Sequence, residues 1–339
     1  MPETLLGVAP TLWLKLGIVR RRFVLALLTA CAAFARAQGR PKLIGILFPW
    51  KEEIARDFHS RIVRELRDLG YADPARLSTA MRTADGDERR LPDLAVELVQ
   101  LKADVIVTAG TNATVAAKRA GPATPIVFMF VSDPAGSGLV RSLARPGGNM
   151  TGLTNFSGGE LSLKRLAFLK QLLPGLTRLA LLINPITNTG DADARVRNWG
   201  AVVAFRGIVV HATSLPELSQ AFQAMRDFQA QAVLVQVDTF FAGVTRQIAE
   251  LALGYKLPSV FDFAEHVDAG GLMSYGPASN ESTQRAASFV DKILRGQNAG
   301  EIPVEQPTKL ELVINRRTAE ALGLKIPQVL LLQADRVIE

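Results

Sequence analysis

From Lys42 onward, short continuous apolar runs alternate with longer amphipathic segments, and this alternation confines the chain to parallel sheets wrapped by helices. Leu43 to Phe48 is apolar at every position but Gly45, as a strand covered on both faces must be. Ile54, Phe58, Ile62, Leu66 and Leu69 then recur at helical spacing until Gly70, which predicts the helix stop. Strand-like runs return at 105–107, 125–131, 179–183, 232–237 and 259–261. Between them lie helical patterns such as Leu91, Leu94, Leu98, Leu101 and Leu166, Leu169, Leu173, the latter opened by a capping sequence at Ser157 to Glu160. Two stretches break the rhythm, Ala144 to Phe156 and Gly296 to Thr308, both rich in Pro, Gly and Asn. They predict crossings between two sheets.

The N-terminal region reads as an address. Positive charge at Arg20-Arg21-Arg22 precedes an apolar stretch from Phe23 to Phe34, too short for the roughly 20 residues of a spanning helix. Ala35-Arg36-Ala37 supplies a small-x-small cleavage site, so residues 1–37 are expected to be a signal peptide of twin-arginine type, removed before Gln38. A second reading stands beside it: Leu28-Thr29-Ala30-Cys31 resembles a lipoprotein acylation box, which would leave the protein anchored through Cys31. Either way the mature chain is expected outside the cytoplasmic membrane, in the periplasm or on the membrane facing it.

Removing that leader changes the charge argument. The whole chain carries +7, but five basic residues and one acidic residue belong to the leader, leaving 34 against 31 and a net +3. No nucleic-acid partner is therefore expected. Cys31 is the sole cysteine, so disulfides contribute nothing after cleavage, and 48% hydrophobic residues must supply the core.

In open parallel sheets ligands bind beyond the carboxyl ends of the strands, where helix N-termini present free amides. The residues at those ends are Trp50, Thr111 with Asn112, Ser132 with Asp133, Asn184, Asp238, and Tyr275 in a Gly-rich run. Each admits two roles. Thr111, Asn112, Ser132 and Asp133 could hold a ligand carboxylate or merely cap helices. Asp238 could meet a ligand ammonium or cap the helix beginning near Phe240. Trp50 and Tyr275 could stack on a flat ligand or pack as ordinary aromatics. No G-x-S-x-G, Walker, G-x-G-x-x-G or H-E-x-x-H sequence is present, and His59, His211 and His266 lack metal-ligand spacing. Neither catalysis, a metal nor a cofactor is expected.

The stretches "ARPGGNMTGLT", "LLINP", "GGLMSYG", "PVEQPTKLELVINRRTAEALGLKIP" and "ADRVIE" resemble, in order, the family of ABC transporter substrate-binding proteins, which includes aromatic amino acid receptors. The resemblance implies the type I periplasmic binding protein fold: two doubly wound α/β lobes joined by a three-segment hinge, with residues 41–153 and 277–305 in one and 154–276 and 306–339 in the other. It implies a monomeric receptor that closes on a small molecule, an amino acid or related zwitterion, and delivers it to an inner-membrane ABC permease. A sensor feeding a membrane kinase or chemoreceptor is the alternative. Asn188-Thr189-Gly190 departs from the family pattern after "NPIT", which touches the loop following Asn184.

Overall fold

The computed structural model describes residues 40–131, 133–154, 159–187 and 190–339. The leader with Cys31, the cap at Ser157, Ser132 and Asn188-Thr189 lie outside them.

The first sheet is entirely parallel, in the order β2 (Leu77–Thr83), β1 (Lys42–Phe48), β3 (Val105–Ala109), β4 (Ile126–Val131), β5 (Met150–Thr154). Its two faces are both covered. One carries α1 (Glu52–Asp68) and α10 (Ser279–Leu294), packing Phe58, Ile62, Leu66, Phe289 and Val290 on Ile44, Ile46 and Val107. The other carries α2 (Leu91–Gln100) and α3 (Thr111–Ala120), packing Leu94, Leu98 and Ala117 on Leu47, Ile106 and Phe128. The stop at Gly70 forms as the sequence predicts: its φ is +98°, its N–H donates to Arg67 and that of Tyr71 to Leu66. Leu69 and Leu101, assigned to apolar stripes from spacing, instead follow the helix ends and are exposed.

The second sheet has the order β12 (Arg336–Ile338), β11 (Leu310–Asn315), β10 (Met273–Pro277), β9 (Ser259–Phe261), β8 (Ala232–Val235), β6 (Arg178–Ile183), β7 (Arg206–His211). It is parallel except where β10 meets β11. Helices α4 (Gly159–Leu172) and α5 (Ala192–Val203) cover one face with α11 (Arg316–Ala321) and α12 (Gln328–Gln333). The other face carries α6 (Leu215–Asp227), α7 (Thr239–Gly243) and α8 (Thr245–Gly254), while α9 (Ala264–Asp268) packs on β11.

The chain passes between the sheets three times: from β5 to α4, from β10 to α10, and through residues 302–309 to β11. The first break in the sequence rhythm contains a strand as well as a crossing. β5 is short and interrupted by Gly152 and two threonines, so its period was masked, yet every residue of it is buried. Glu305 in the third crossing bridges to Leu153 and its carbonyl accepts from the Thr154 N–H, which lays that crossing beside the end of β5.

Candidate functional site

The carboxyl ends of β1, β3 and β4 face those of β6, β8 and β9 across a cavity of about 760 Å³. That volume lies in the range of small-molecule sites. Trp50, Thr111, Asn112 and Asp238 line it, joined by Glu88, Phe58, Phe130, Thr239, Phe263, Glu265 and His266.

On the first lobe, β3 ends at Ala109 and Gly110 turns the chain with φ +79°, so that α3 starts directly at the cavity. Gly110 occupies the cap position and offers no side chain, and the helix has no side-chain cap. Thr111 and Asn112 thus sit inside the helix, which decides their two readings against capping. The first N–H groups of α3, with the positive end of its dipole, stand at the cavity wall. The Asn112 amide donates to Glu88 Oε2, and the Thr239 hydroxyl of the opposite lobe donates to Glu88 Oε1. Glu88 therefore ties the two walls together.

Beside this polar corner stands an apolar wall. The Trp50 ring lies 4.7 Å from Phe58 and 6.0 Å from Phe130, and Phe58 meets Phe130 edge-on at 5.8 Å. Phe130 also reaches Phe263 of the second lobe at 5.5 Å. A third cross-lobe contact is polar: Arg61 on α1 bonds Glu265 on α9, while also holding Asp57 and Asn280.

Asp238 is buried and held by four donors. Its Oδ1 accepts from the N–H groups of Phe240 (2.8 Å) and Phe241 (3.2 Å) and from the Asn184 amide (3.1 Å), and Oδ2 accepts from the Thr187 hydroxyl (2.5 Å). With three donors on Oδ1 and one on Oδ2, all from its own lobe, Asp238 caps α7 and anchors the loop after β6. Asn184 stands behind the wall in that role. Asp133 does not line the cavity: it is exposed and closes a turn, accepting from the Gly136 N–H at 2.8 Å. Tyr275 does not either. Strand parity turns it, with Met273, toward α4, where its ring packs on Phe168 at 5.0 Å. Its carbonyl accepts from Nε of the buried Arg165 (2.7 Å), and Arg165 pairs with the partly buried Asp262.

His266 is buried in the wall, stacked on Phe261 at 5.1 Å. Burial pushes its imidazole below the ordinary histidine range, with Glu265 and Asp262 opposing in part. Among the described residues no group of three or more His, Cys, Asp or Glu side chains converges as a metal site. Nor is any described helix long and apolar enough to cross a membrane.

A family model described as "ABC transporter substrate binding protein" matches residues 53–338, nearly the whole of both lobes. The chain belongs to that family. A tyrosine-binding protein of Clostridioides difficile (strain R20291) is 24% identical to this substrate-binding protein over 268 residues, covering 78% of this chain and 75% of the relative. The crystal structure of a conserved domain protein from Vibrio cholerae O1 biovar El Tor superposes with a TM-score of 0.80 at 24% identity, over 88% of this chain and all of the other. An ABC domain from Streptococcus pneumonia in complex with L-Trp gives 0.78 at 22% identity, over the same shares. These likenesses give the substrate-binding protein the type I periplasmic binding protein fold, in agreement with its two sheets and three crossings.

Sequence inspection of this substrate-binding protein missed Glu88, Phe130, Phe263 and Glu265. Glu88 lies in a single 3₁₀ turn before α2, away from any strand end recognised in the sequence. Phe130 was counted as part of a buried strand, where its apolar character gave no separate signal.

Proposed function

We propose that this protein is an exported receptor that closes its two lobes around an amino acid with an aromatic side chain and presents the closed form to an inner-membrane ABC permease. The observation that carries the reading is one cavity with three distinct walls. The uncapped N-terminus of α3 suits a ligand carboxylate. Glu88 accepts one hydrogen bond on each carboxylate oxygen and retains acceptor capacity for an ammonium, whereas Asp238 is already engaged by four donors within its own lobe. Trp50, Phe58, Phe130 and Phe263 form an apolar wall for a ring. Two relatives, the tyrosine-binding protein and the ABC domain in complex with L-Trp, support the same class.

Transport needs no covalent step here. A ligand touching both lobes stabilises the closed arrangement by its differential affinity for it. The lobes that move are taken as residues 41–153 with 277–305 and 154–276 with 306–339. The leader through Ala37 directs a monomer to the periplasm, and anchoring through Cys31 would keep it at the membrane instead.

A thermal-shift screen tests the ligand class. L-Tyr, L-Trp, L-Phe, L-Leu and L-Ala are compared with tyramine, which lacks the carboxylate, and with 3-(4-hydroxyphenyl)propionate, which lacks the ammonium. A ligand at 100 times its dissociation constant adds about 2.7 kcal/mol of stability. The reading expects a shift with the aromatic amino acids and its loss with both truncated analogues. No shift with any amino acid would overturn it.

A further inference from the structure

Phe130 stands on the wrong face of its strand. Alternation places Phe128 and Phe130 on one side of a regular strand. Phe128 does lie there, buried against α2 and α3. The ring of Phe130 packs instead on the opposite side, with Trp50 and Phe58. The cause is a bulge: Phe128 pairs with Gly152 and Val131 with Thr154, so Met129 and Phe130 together oppose the single residue Leu153. Within that bulge Phe130 has φ +59°, a left-handed conformation that is unusual for a bulky side chain. Gly152 accommodates the irregularity, since a Cβ there would stand 2.0 Å from the Phe128 carbonyl oxygen.

The strained position has one visible result. It sends the ring to the cavity wall and across the cleft to Phe263, whose own ring lies near-parallel to His266 at 6.3 Å. Strained backbone held by its surroundings clusters at ligand clamps, and here the strained residue lines the cavity.

We propose that Phe130 is the specificity-determining residue of the cleft: the bulge in β4 holds its ring where closure brings it to Phe263, completing the apolar wall on which the ligand side chain rests. This rests on the amino acid reading above. It goes further in assigning side-chain selection to a residue of the first lobe that works only in the closed arrangement.

The test compares wild type, Phe130→Ala, Phe130→Gly and Phe130→Leu by calorimetric titration with L-Tyr, L-Trp, L-Leu and L-Ala, and by thermal melting without ligand. The proposal expects both ring-deleting variants to lose at least tenfold in aromatic affinity relative to L-Ala or L-Leu, with Phe130→Leu shifted toward L-Leu. Because glycine tolerates the left-handed conformation, Phe130→Gly should melt above Phe130→Ala, the reverse of the usual order. Aromatic affinity within twofold of wild type in Phe130→Ala would overturn the selection role. Phe130→Gly melting below Phe130→Ala would overturn the strained placement. A wild-type protein binding no amino acid would remove the reading beneath both, an outcome read from wild type alone and so distinguishable from failure of the Phe130 assignment.

Discussion

Glu88 bears a clear consequence for a single side chain, because its carboxylate is bonded to both walls of the cleft at the polar corner. Glu88→Ala removes hydrogen bonds to a charged group, each worth about 1.5–3 kcal/mol. Affinity for the ligand should fall tenfold or more by titration calorimetry, and the melting temperature without ligand should fall as well, because both bonds are made in the absence of ligand. Asp238 looked like the better ammonium partner from sequence because it ends an apolar strand. Its four donors come from residues 184, 187, 240 and 241, and only folding brings the first two to the last two. The histidines carry a pH dependence. Burial lowers the pKa of both His266 and His59, so the folded state resists protonation that the unfolded chain accepts. Their contribution to stability is complete above about pH 6.5 and is lost as pH falls below it. The fall in melting temperature between pH 7 and 5 should be shallower in His59→Gln/His266→Phe than in wild type.

Helices and strands place these groups by simple rules with two informative exceptions. The stripes of α1 and α2 were readable because a helix packing on a sheet buries every third or fourth residue, as Phe58, Ile62 and Leu66 do. The edge strands β2 and β7 were not, since each is only partly buried and lacks a continuous apolar run. Phe130 and Tyr275 are opposite failures of face assignment. A bulge turns Phe130 into the cleft, and regular alternation turns Tyr275 out of it. The Gly-rich run ending in Gly276, which drew attention as a ligand loop, has a packing explanation. A Cβ on Gly276 would stand 1.9 Å from the Asp262 carbonyl oxygen on the neighbouring chain segment. Overpacking of this kind costs about 1–3 kcal/mol. Gly276→Ala should therefore lower the unfolding free energy from denaturant titration by that amount, and by more than a substitution at exposed Gly175.

Among the described residues, contacts between the two lobes include Glu88 with Thr239, Arg61 with Glu265, and Phe130 with Phe263. The two polar contacts suit a hinge, since each can be exchanged for water when the lobes part. Arg61 and Glu265 are both partly exposed, so their pair is worth about 0.2–1 kcal/mol. Arg61→Met should weaken ligand binding by no more than about fivefold, and the wild-type affinity should decline modestly with salt. Small-angle scattering should show the radius of gyration of wild type decreasing on addition of the ligand that gives the largest thermal shift.

The sequence alone determined the class of fold, because continuous apolar runs alternating with amphipathic helices leave parallel sheets as the way to bury both faces. It also pointed to the strand ends at Trp50, Thr111 and Asp238, since those positions follow from chain order. Tertiary structure decided which strand-end residues meet the cavity and which serve as caps. That choice depends on pairings between segments dozens to hundreds of residues apart, such as Thr239 with Glu88 and Asn184 with Asp238, and on a one-residue bulge that reverses a side chain. Local pattern carries periodicity, whereas the partner of a polar group and the face chosen by an irregular strand are set by what the completed fold brings beside them.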